Sequence, residues 1–166
     1  MDVQETASAL NEMVRSGKAK HIGVSNFTPS QFQLLDARMD KPLVTNQIEM
    51  SVLEMAPLED GVMDQAMRLG FSPMAWSPLG GGLLFDEQNE ASVRVRQTLK
   101  VLGEKYEADV ATMALAWLLA HPARIVPIIG SNSPERIRSL VKAEKVALTR
   151  TEWFEVWQAS KGREVP

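Results

Sequence analysis

"MAWSPLGGGLLF", residues Met74 to Phe85, joins a short apolar run to a proline and three consecutive glycines. A strand that only fills a core needs no such ending. Glycine lets the backbone turn sharply and approach a ligand closely, because it has no Cβ. The stretch therefore predicts a strand that ends at Trp76 and a loop that lies against a bound molecule.

Other segments of the chain alternate between strand-like and helix-like patterns. Apolar residues recur at helical spacing at Val3, Ala7, Leu10 and Val14. Strands that alternate with helices predict an α/β fold with a parallel sheet, here in one domain that spans residues 1–166. The four predicted strands are HIGV (21–24), PLVTNQI (42–48), FSPMAW (71–76) and RIVPII (124–129).

Several helix ends have recognisable local signals. Thr28 and Thr149 each precede a Gln or Glu by three residues, which is the spacing of a capping box. Gly70 is expected to end a helix. The segment 113–120 is apolar nearly all round, which predicts a buried helix, and the segment 80–91 is expected to be the least regular part.

Composition excludes several classes of function. The chain has 166 residues, 45% of them hydrophobic, and a net charge of −3, so it carries no basic footprint for nucleic acid or an anionic membrane. No apolar run reaches membrane-spanning length, and the N-terminus does not resemble a signal peptide. Without cysteine there is no disulfide and no Cys-based metal site, and no His or carboxylate set predicts another metal site. We expect a cytoplasmic protein with a small-molecule ligand.

Small and polar residues follow each predicted strand. Parallel α/β folds bind ligands at the carboxyl ends of their strands, so these residues predict one ligand-binding edge. They are Ser25–Asn26, Asn46–Gln47, Trp76–Ser77 with Gly80–Gly82, and Gly130–Asn132.

The side chains at this edge suit one type of ligand. The hydroxyl and amide groups of Ser25, Asn26 and Gln47 match a carboxamide, which both donates and accepts hydrogen bonds. Trp76 offers a flat face for a planar ring. The glycine loop, the helix start after Gly130 and the Arg136 side chain suit phosphate groups. Carboxamide, ring and phosphates together describe a nicotinamide dinucleotide phosphate.

Five segments resemble the C-terminal half of the aldo-keto reductases, in order and at similar spacing: GKAKHIGVSNF (17–27), NQIE (46–49), AWSPLGGG (75–82), ALAWLL (114–119) and PIIGSNSPERI (127–137). The resemblance implies a parallel (β/α)8 TIM barrel, of which this chain would hold strands five to eight with their helices. The domain would then be incomplete at its N-terminal side, because such a barrel takes roughly 250 residues.

The resemblance also implies roles for individual residues. Ser25, Asn26 and Gln47 would hold the nicotinamide carboxamide, and Trp76 would stack on the ring. Ser77, Leu79 and Gly80 would flank the pyrophosphate, whereas Gly130, Ser131, Asn132 and Arg136 would form the adenosine-phosphate site. Many members carry a basic residue where Gly130 stands and a Tyr where Trp76 stands. The implied preference for NADPH over NADH therefore rests mainly on Arg136.

No catalytic residue is predicted within the chain. The family keeps its catalytic Asp, Tyr, Lys and His in the half that precedes this region. Tyr106 is expected to be an exposed helix-end residue, His21 to lie at the opposite end of a strand from the ligand edge, and His121 to cap helix carbonyls. The aromatic residues Trp153, Phe154 and Trp157 are expected to pack against the barrel wall.

Two interpretations remain open. In the first, the chain is the cofactor-binding half of an NADPH-dependent reductase of aldehydes and ketones, inactive without the other half. In the second, it is a truncated, non-catalytic nucleotide-binding or relic module that self-associates through its open sheet. A regulatory role, known for channel-associated members of the family, or a different barrel enzyme has less support from these residues.

Overall fold

The computed structural model describes residues 2–165, so both outer bounds of the predicted domain, Met1 and Pro166, lie outside the described residues. Helices and strands alternate as predicted. In chain order they are α1 (Val3–Arg15), β1 (Val24–Ser25), α2 (Pro29–Asp36), β2 (Asn46–Glu49), α3 (Val62–Leu69), β3 (Met74–Trp76), α4 (Glu90–Tyr106), α5 (Val110–Leu119), β4 (Val126–Pro127), α6 (Pro134–Leu140) and α7 (Arg150–Lys161), with 3₁₀ turns at Ala56–Leu58, Gly80–Phe85 and Val141–Lys145.

The four strands form one parallel sheet in the order β1-β2-β3-β4, which confirms the predicted topology. Each strand is shorter than its sequence pattern predicts. β1, β2 and β3 lie at the C-terminal ends of the predicted runs, with β1 and β2 extending one residue beyond them, and β4 lies in the middle of its run. Hydrogen bonds nevertheless extend the pairing, since the Val44 N–H donates to the Ile22 carbonyl (2.9 Å) and the Ile128 N–H donates to the Ala75 carbonyl (2.8 Å). Prolines such as Pro127 lack the N–H that a longer ladder requires.

The two faces of the sheet differ in burial. Asn46, Ile48 and Ala75 face the helices and are buried with them in one core. Gln47 and Trp76 lie on the other face and are only partly buried, and Val126 on β4 is 46% exposed. Within residues 2–165, helices therefore cover one face of the sheet and leave the other open.

The predicted buried helix is α5, whose residues 112–118 are all buried, which confirms the expectation. Its Trp117 stacks on Trp153 of α7, with ring centroids 4.9 Å apart and planes at 7°. Each of the two indole N–H groups donates to the other residue's carbonyl at 3.0 Å. The aromatic group of α7 packs against the fold, where Trp153 contacts Trp117 of α5.

Both predicted capping boxes are present, at Thr28–Gln31 and Thr149–Glu152. The segment expected to be the least regular, residues 80–91, begins with a 3₁₀ turn at Gly80–Phe85 whose backbone is non-helical at Gly81 and Gly82, and its last two residues belong to α4. A hydrogen bond from α4 stabilises the turn, since the Ser92 hydroxyl donates to the Leu83 carbonyl at 2.7 Å. Leu84 is fully buried beneath it.

Tyr106 and His121 differ from their predicted settings. Tyr106 ends α4 as expected, but it is half-buried, and its hydroxyl donates to Glu152 (2.7 Å) and lies 3.0 Å from the Ala147 carbonyl oxygen. His121 caps no carbonyl; its Nδ1 instead accepts the Ala123 N–H at 3.1 Å. Burial lowers the pKa of His121, which favours the neutral ring that such an acceptor needs.

Glu152 joins the end of α4 to the start of α7. It is 8% exposed and accepts hydrogen bonds from Lys105 (2.7 Å), Tyr106 (2.7 Å) and the Thr149 N–H (2.8 Å). Burial alone would raise the pKa of Glu152, but these hydrogen bonds outweigh it and lower the pKa from 4.5 to about 2.

We predict that Glu152→Gln reduces the acid sensitivity of the fold. Because the folded pKa of Glu152 lies below its ordinary value, its contribution to stability is complete above pH 4.5 and is lost as the pH falls towards 2. Between about pH 6 and about pH 3, the wild type should lose roughly 1–3 kcal/mol more unfolding free energy than the variant, measured by urea denaturation. Glu155→Gln, which changes an exposed carboxyl of the same helix, should behave as the wild type. Identical acid sensitivity in wild type and Glu152→Gln would contradict the prediction.

Candidate functional site

The residues predicted to hold a carboxamide and a ring come together at the carboxyl ends of β1, β2 and β3. The Ser25 hydroxyl donates to the Gln47 carbonyl at 3.0 Å, and the Asn26 N–H donates to the same carbonyl at 2.8 Å. The Trp76 indole N–H donates to the Asn26 Oδ1 at 2.9 Å. Ser25, Asn26, Gln47 and Trp76 therefore form one cluster, which we call the ring site.

The backbone has an unusual conformation where β1 and β3 end, and this conformation orients side chains of the ring site. Asn26 has φ +55° and Ser77 has φ +47°, both in the left-handed region. Asn adopts this region more readily than most residues, because its short side chain can hydrogen-bond locally. The left-handed turn ends β1, and the Asn26 side chain reaches as far as Trp76 on β3.

The residues predicted to meet phosphates line a cavity of about 720 Å³ beside the ring site. Ser77 and Leu79 line it after β3, Gly130 and Ser131 line it after β4, and Arg136 lines it from α6. Two members of the predicted set, Gly80 and Asn132, do not line the cavity. Gly80 closes the turn beside it, since its N–H donates to the Ser77 carbonyl at 2.7 Å.

The glycines keep this cavity open. Gly80, Gly81 and Gly82 all have positive φ, at 65°, 61° and 99°, a conformation that most side chains disfavour. A Cβ built on Gly82 or Gly130 would meet no atom within 4 Å, so bare backbone faces open space at both positions. This arrangement fits a bulky anion that approaches the main chain closely.

Positive charge on the described part of the cavity wall comes from Arg136. The predicted anion-binding helix start contributes less, because α6 has only seven residues and the Ser133 hydroxyl already accepts the Arg136 N–H at 3.3 Å. The Ser131 hydroxyl is also engaged, since it accepts the Ser133 N–H at 3.2 Å. The Arg136 guanidinium is exposed and forms no salt bridge within residues 2–165.

The sequence patterns did not predict that residues of α5, and residues of α6 other than Arg136, line the cavity. These residues include Asp109 at the N-cap of α5 and Ser139, whose hydroxyl donates to Asp109 at 3.3 Å. Burial alone would raise the pKa of Asp109, but hydrogen bonds from Thr112 and Ser139 and the charge of Lys142 lower it. An Asp before an apolar helix is an N-cap signal, so the sequence could indicate Asp109 as a helix cap. It could not indicate that Asp109 lines the cavity. The other missed residues are Pro78, Phe85, Ala111, Leu115, Ile128 and Ile129, whereas Gly81 and Gly82 of the predicted glycine loop do line the cavity.

The one tyrosine and the two histidines of the chain lie away from this edge of the sheet. Tyr106 is bonded to Glu152 between α4 and α7, and His121 accepts a backbone N–H beside α5. His21 lines a separate cleft with Lys20 and Ile22, residues that precede β1. In the part of the chain that is described, no three His, Asp or Glu residues are grouped to hold a metal ion, and no helix is long and apolar enough to cross a membrane.

Comparison with known proteins gives a consistent result. The profile of the Aldo/keto reductase family matches residues 1–161. The chain is 44% identical to a 6-dehydroglucose reductase of Agrobacterium fabrum over 99% of its own length and 54% of that protein's. It is 43% identical to the oxidoreductase YdhF of Escherichia coli over 100% of its own length and 55% of that protein's. The chain thus spans about half the length of the curated relatives it matches.

Solved structures show the same relation. A thermostable aldo-keto reductase, Tm1743, crystallised in complex with the inhibitor epalrestat, superposes with a TM-score of 0.86 at 29% sequence identity, over 96% of this chain and 55% of that one. The four-stranded parallel sheet and its helices are therefore part of a (β/α)8 barrel. From the family profile, the relatives and the fold together, the chain belongs to the aldo/keto reductase family.

Proposed function

We propose that the chain is the cofactor-binding half of an NADPH-dependent oxidoreductase that reduces aldehydes and ketones to alcohols. The observation that carries the proposal is the position of the ring site and the cavity. Both lie at the carboxyl ends of adjacent parallel strands, which is where ligands bind in this architecture. Family membership supports a nicotinamide cofactor and a carbonyl substrate as the class of reaction.

The hydrogen bonds already made at the ring site fit a carboxamide. The Asn26 Oδ1 accepts from Trp76, so the NH₂ end of the Asn26 amide is left to donate. The Ser25 hydroxyl donates its proton to the Gln47 carbonyl, so its oxygen is left to accept. One donor and one acceptor side by side match the two ends of a nicotinamide carboxamide, with the Trp76 indole beside them for the ring. Once bound, NADPH supplies the hydride that reduces a carbonyl carbon.

The cavity would hold the rest of the dinucleotide. Ser77, Leu79 and the adjacent Gly80 would meet the pyrophosphate, and Gly130, Ser131 and Asn132 would lie along the adenosine side. Arg136 would pair with the extra phosphate that distinguishes NADPH from NADH, because guanidinium forms strong, fork-shaped hydrogen bonds with phosphate oxygens. We therefore propose a preference for NADPH over NADH.

A reductase also needs an acid that protonates the carbonyl oxygen. The only tyrosine, Tyr106, is committed to Glu152 and Ala147 in the helix layer. We propose that the general acid lies on the other half of the barrel and that this half alone is inactive. The substrate would be a small carbonyl compound, and the relative named 6-dehydroglucose reductase supports an aldehyde-bearing sugar as one probe.

A second candidate function follows from the uncovered face of the sheet. The outer edges of β1 and β4 have no neighbouring strand within residues 2–165, and Val126 lies exposed on the open face. Unpaired strand edges favour pairing with another chain. The alternative is therefore a non-catalytic module that self-associates.

A cytoplasmic location stays a prediction from the sequence.

We predict that NADPH quenches the fluorescence of Trp76. The other three tryptophans, Trp117, Trp153 and Trp157, lie on α5 and α7, so Trp76→Phe should remove most of the quenching. Phe keeps an aromatic face but loses the N–H that Trp76 donates to Asn26, so affinity measured from NADPH fluorescence should fall less in Trp76→Phe than in Trp76→Ala. Trp76→Ala should weaken binding by about two- to tenfold through lost stacking. Saturable quenching of equal amplitude in the wild type and in Trp76→Phe would contradict contact between Trp76 and the nicotinamide.

We predict that Arg136→Ala weakens NADPH binding by about tenfold and leaves NADH binding nearly unchanged, because a charged hydrogen bond to phosphate is worth roughly 1.5 kcal/mol or more. Isothermal titration with both nucleotides measures the difference. Arg138→Ala is the matched control, since Arg138 is an exposed arginine of the same helix that does not line the cavity. Equal losses for the two nucleotides would contradict a phosphate contact at Arg136.

Turnover and molecular size separate the two candidate functions. We predict that the purified chain binds NADPH but does not oxidise it in the presence of a reactive aldehyde, because the proton donor is absent from the ring site. Steady oxidation above the protein-free rate would overturn the proposed inactivity. A dimer on sizing chromatography that fails to bind NADPH would favour the self-associating module instead.

A further inference from the structure

Asn46 is a fully buried polar residue whose side chain holds the segment after β1. Its Oδ1 accepts the Phe27 N–H at 3.2 Å, and its Nδ2 donates to the Phe27 carbonyl at 2.7 Å. The residue is 0% exposed. The Asn46 amide thus bonds both backbone groups of one residue, at the point where β1 turns away from β2. A buried amide with both ends satisfied has a single defined orientation.

Phe27 directly follows Asn26, so its anchoring restrains the ring site. The Asn26 N–H is held by the Gln47 carbonyl at 2.8 Å, and its φ of +55° turns the side chain towards β3. There the Asn26 Oδ1 accepts the Trp76 indole N–H at 2.9 Å. A continuous path therefore runs from a buried residue of β2, through the backbone of Phe27, to the aromatic side chain of β3.

We propose that Asn46 and Asn26 are positioning residues, which set the plane of the Trp76 indole and the direction of the Asn26 amide before any ligand binds. We call this path the asparagine relay: the Asn46 side chain, the Phe27 backbone and the Asn26 side chain. The proposal rests on the proposed function for its purpose, since a fixed ring face serves a ring-bearing cofactor. Asn46 acts without touching the ligand, because its amide is committed to Phe27 in the helix-facing layer.

Trp76 needs such a restraint because it is not packed into the core. It is only partly buried, so its two side-chain torsions are not fixed by surrounding atoms alone. If the Trp76 ring became ordered only when a ligand binds, the lost side-chain entropy would reduce the affinity. A ring that is already held in place does not carry this cost. The hydrogen bond to Asn26 provides this restraint.

The relay can be tested in the ligand-free chain through the Trp76 indole N–H. The chain is labelled with ¹⁵N-tryptophan, and the Trp76 signal is assigned by its loss in Trp76→Phe. Hydrogen exchange at this N–H should become about two- to tenfold faster in Asn26→Ala, which removes the acceptor. Asn26→Asp keeps an acceptor oxygen and should preserve slow exchange. Unchanged exchange in Asn26→Ala would overturn the proposal.

The contribution of Asn46 is tested with Asn46→Leu against a matched control. Asn11 is also buried and also holds backbone with both ends of its amide, donating to the Arg38 carbonyl (3.1 Å) and accepting the Asp40 N–H (3.0 Å). Both substitutions should lower stability, but only Asn46→Leu should speed exchange at the Trp76 indole. Equal exchange in the two variants would mean that Asn46 is merely structural and would overturn its place in the relay.

Asn46→Ser provides a second variant should Asn46→Leu not fold, because its short side chain cannot bond both backbone groups of Phe27. The prediction is the same faster exchange. NADPH titration then separates the relay from the proposed function. If the wild type does not bind NADPH but its Trp76 indole N–H is protected from exchange, the proposed function is refuted and the relay is supported. NADPH binding with unprotected exchange in the wild type would refute the relay alone.

Discussion

The parallel pairing of four strands is the constraint on which the site depends. All four carboxyl ends lie at one edge of the sheet, and the register places Ser25 beside Gln47 and Glu49 beside Trp76. A shift of one residue in either pair would turn the ring-site side chains towards the helices, because neighbouring residues of a strand point to opposite faces. The ring site exists only in this register.

The helices secure the register from one side. The buried faces of β2 and β3 share a core with α2, α3 and α5, and Asn46 contributes a polar contact from that layer to the segment after β1. The opposite face, which includes Gln47, Trp76 and Val126, has no covering layer within the described residues. The relatives are about twice as long as this chain, and a (β/α)8 barrel has twice as many strands. The uncovered face is thus what one half of such a barrel would present.

The site combines two kinds of recognition. The ring site has hydrogen-bonding groups whose directions are already set by bonds among Ser25, Gln47, Asn26 and Trp76. The cavity beside it is lined instead by glycine backbone, by apolar side chains, by the exposed cation Arg136 and by the carboxylate of Asp109. Under the proposed function, the directional groups would hold the flat, reactive end of a dinucleotide, where position matters most, and the cavity would hold its flexible anionic end.

The sequence by itself determined the order of elements, the parallel sheet, both capping boxes, the buried helix and the family, because periodicity, capping and glycine placement are local properties of the chain. It also indicated the residues at the strand ends, since each directly follows an apolar run. Only the tertiary structure decided which of them meet. Asn26 and Trp76 lie 50 residues apart and are joined by a side-chain hydrogen bond. The Asn46 side chain on β2 bonds the backbone of Phe27, which follows β1. The partner of Tyr106 and the part of Asp109 in the cavity wall likewise depend on how helices pack, and such long-range contacts leave no mark in a local pattern.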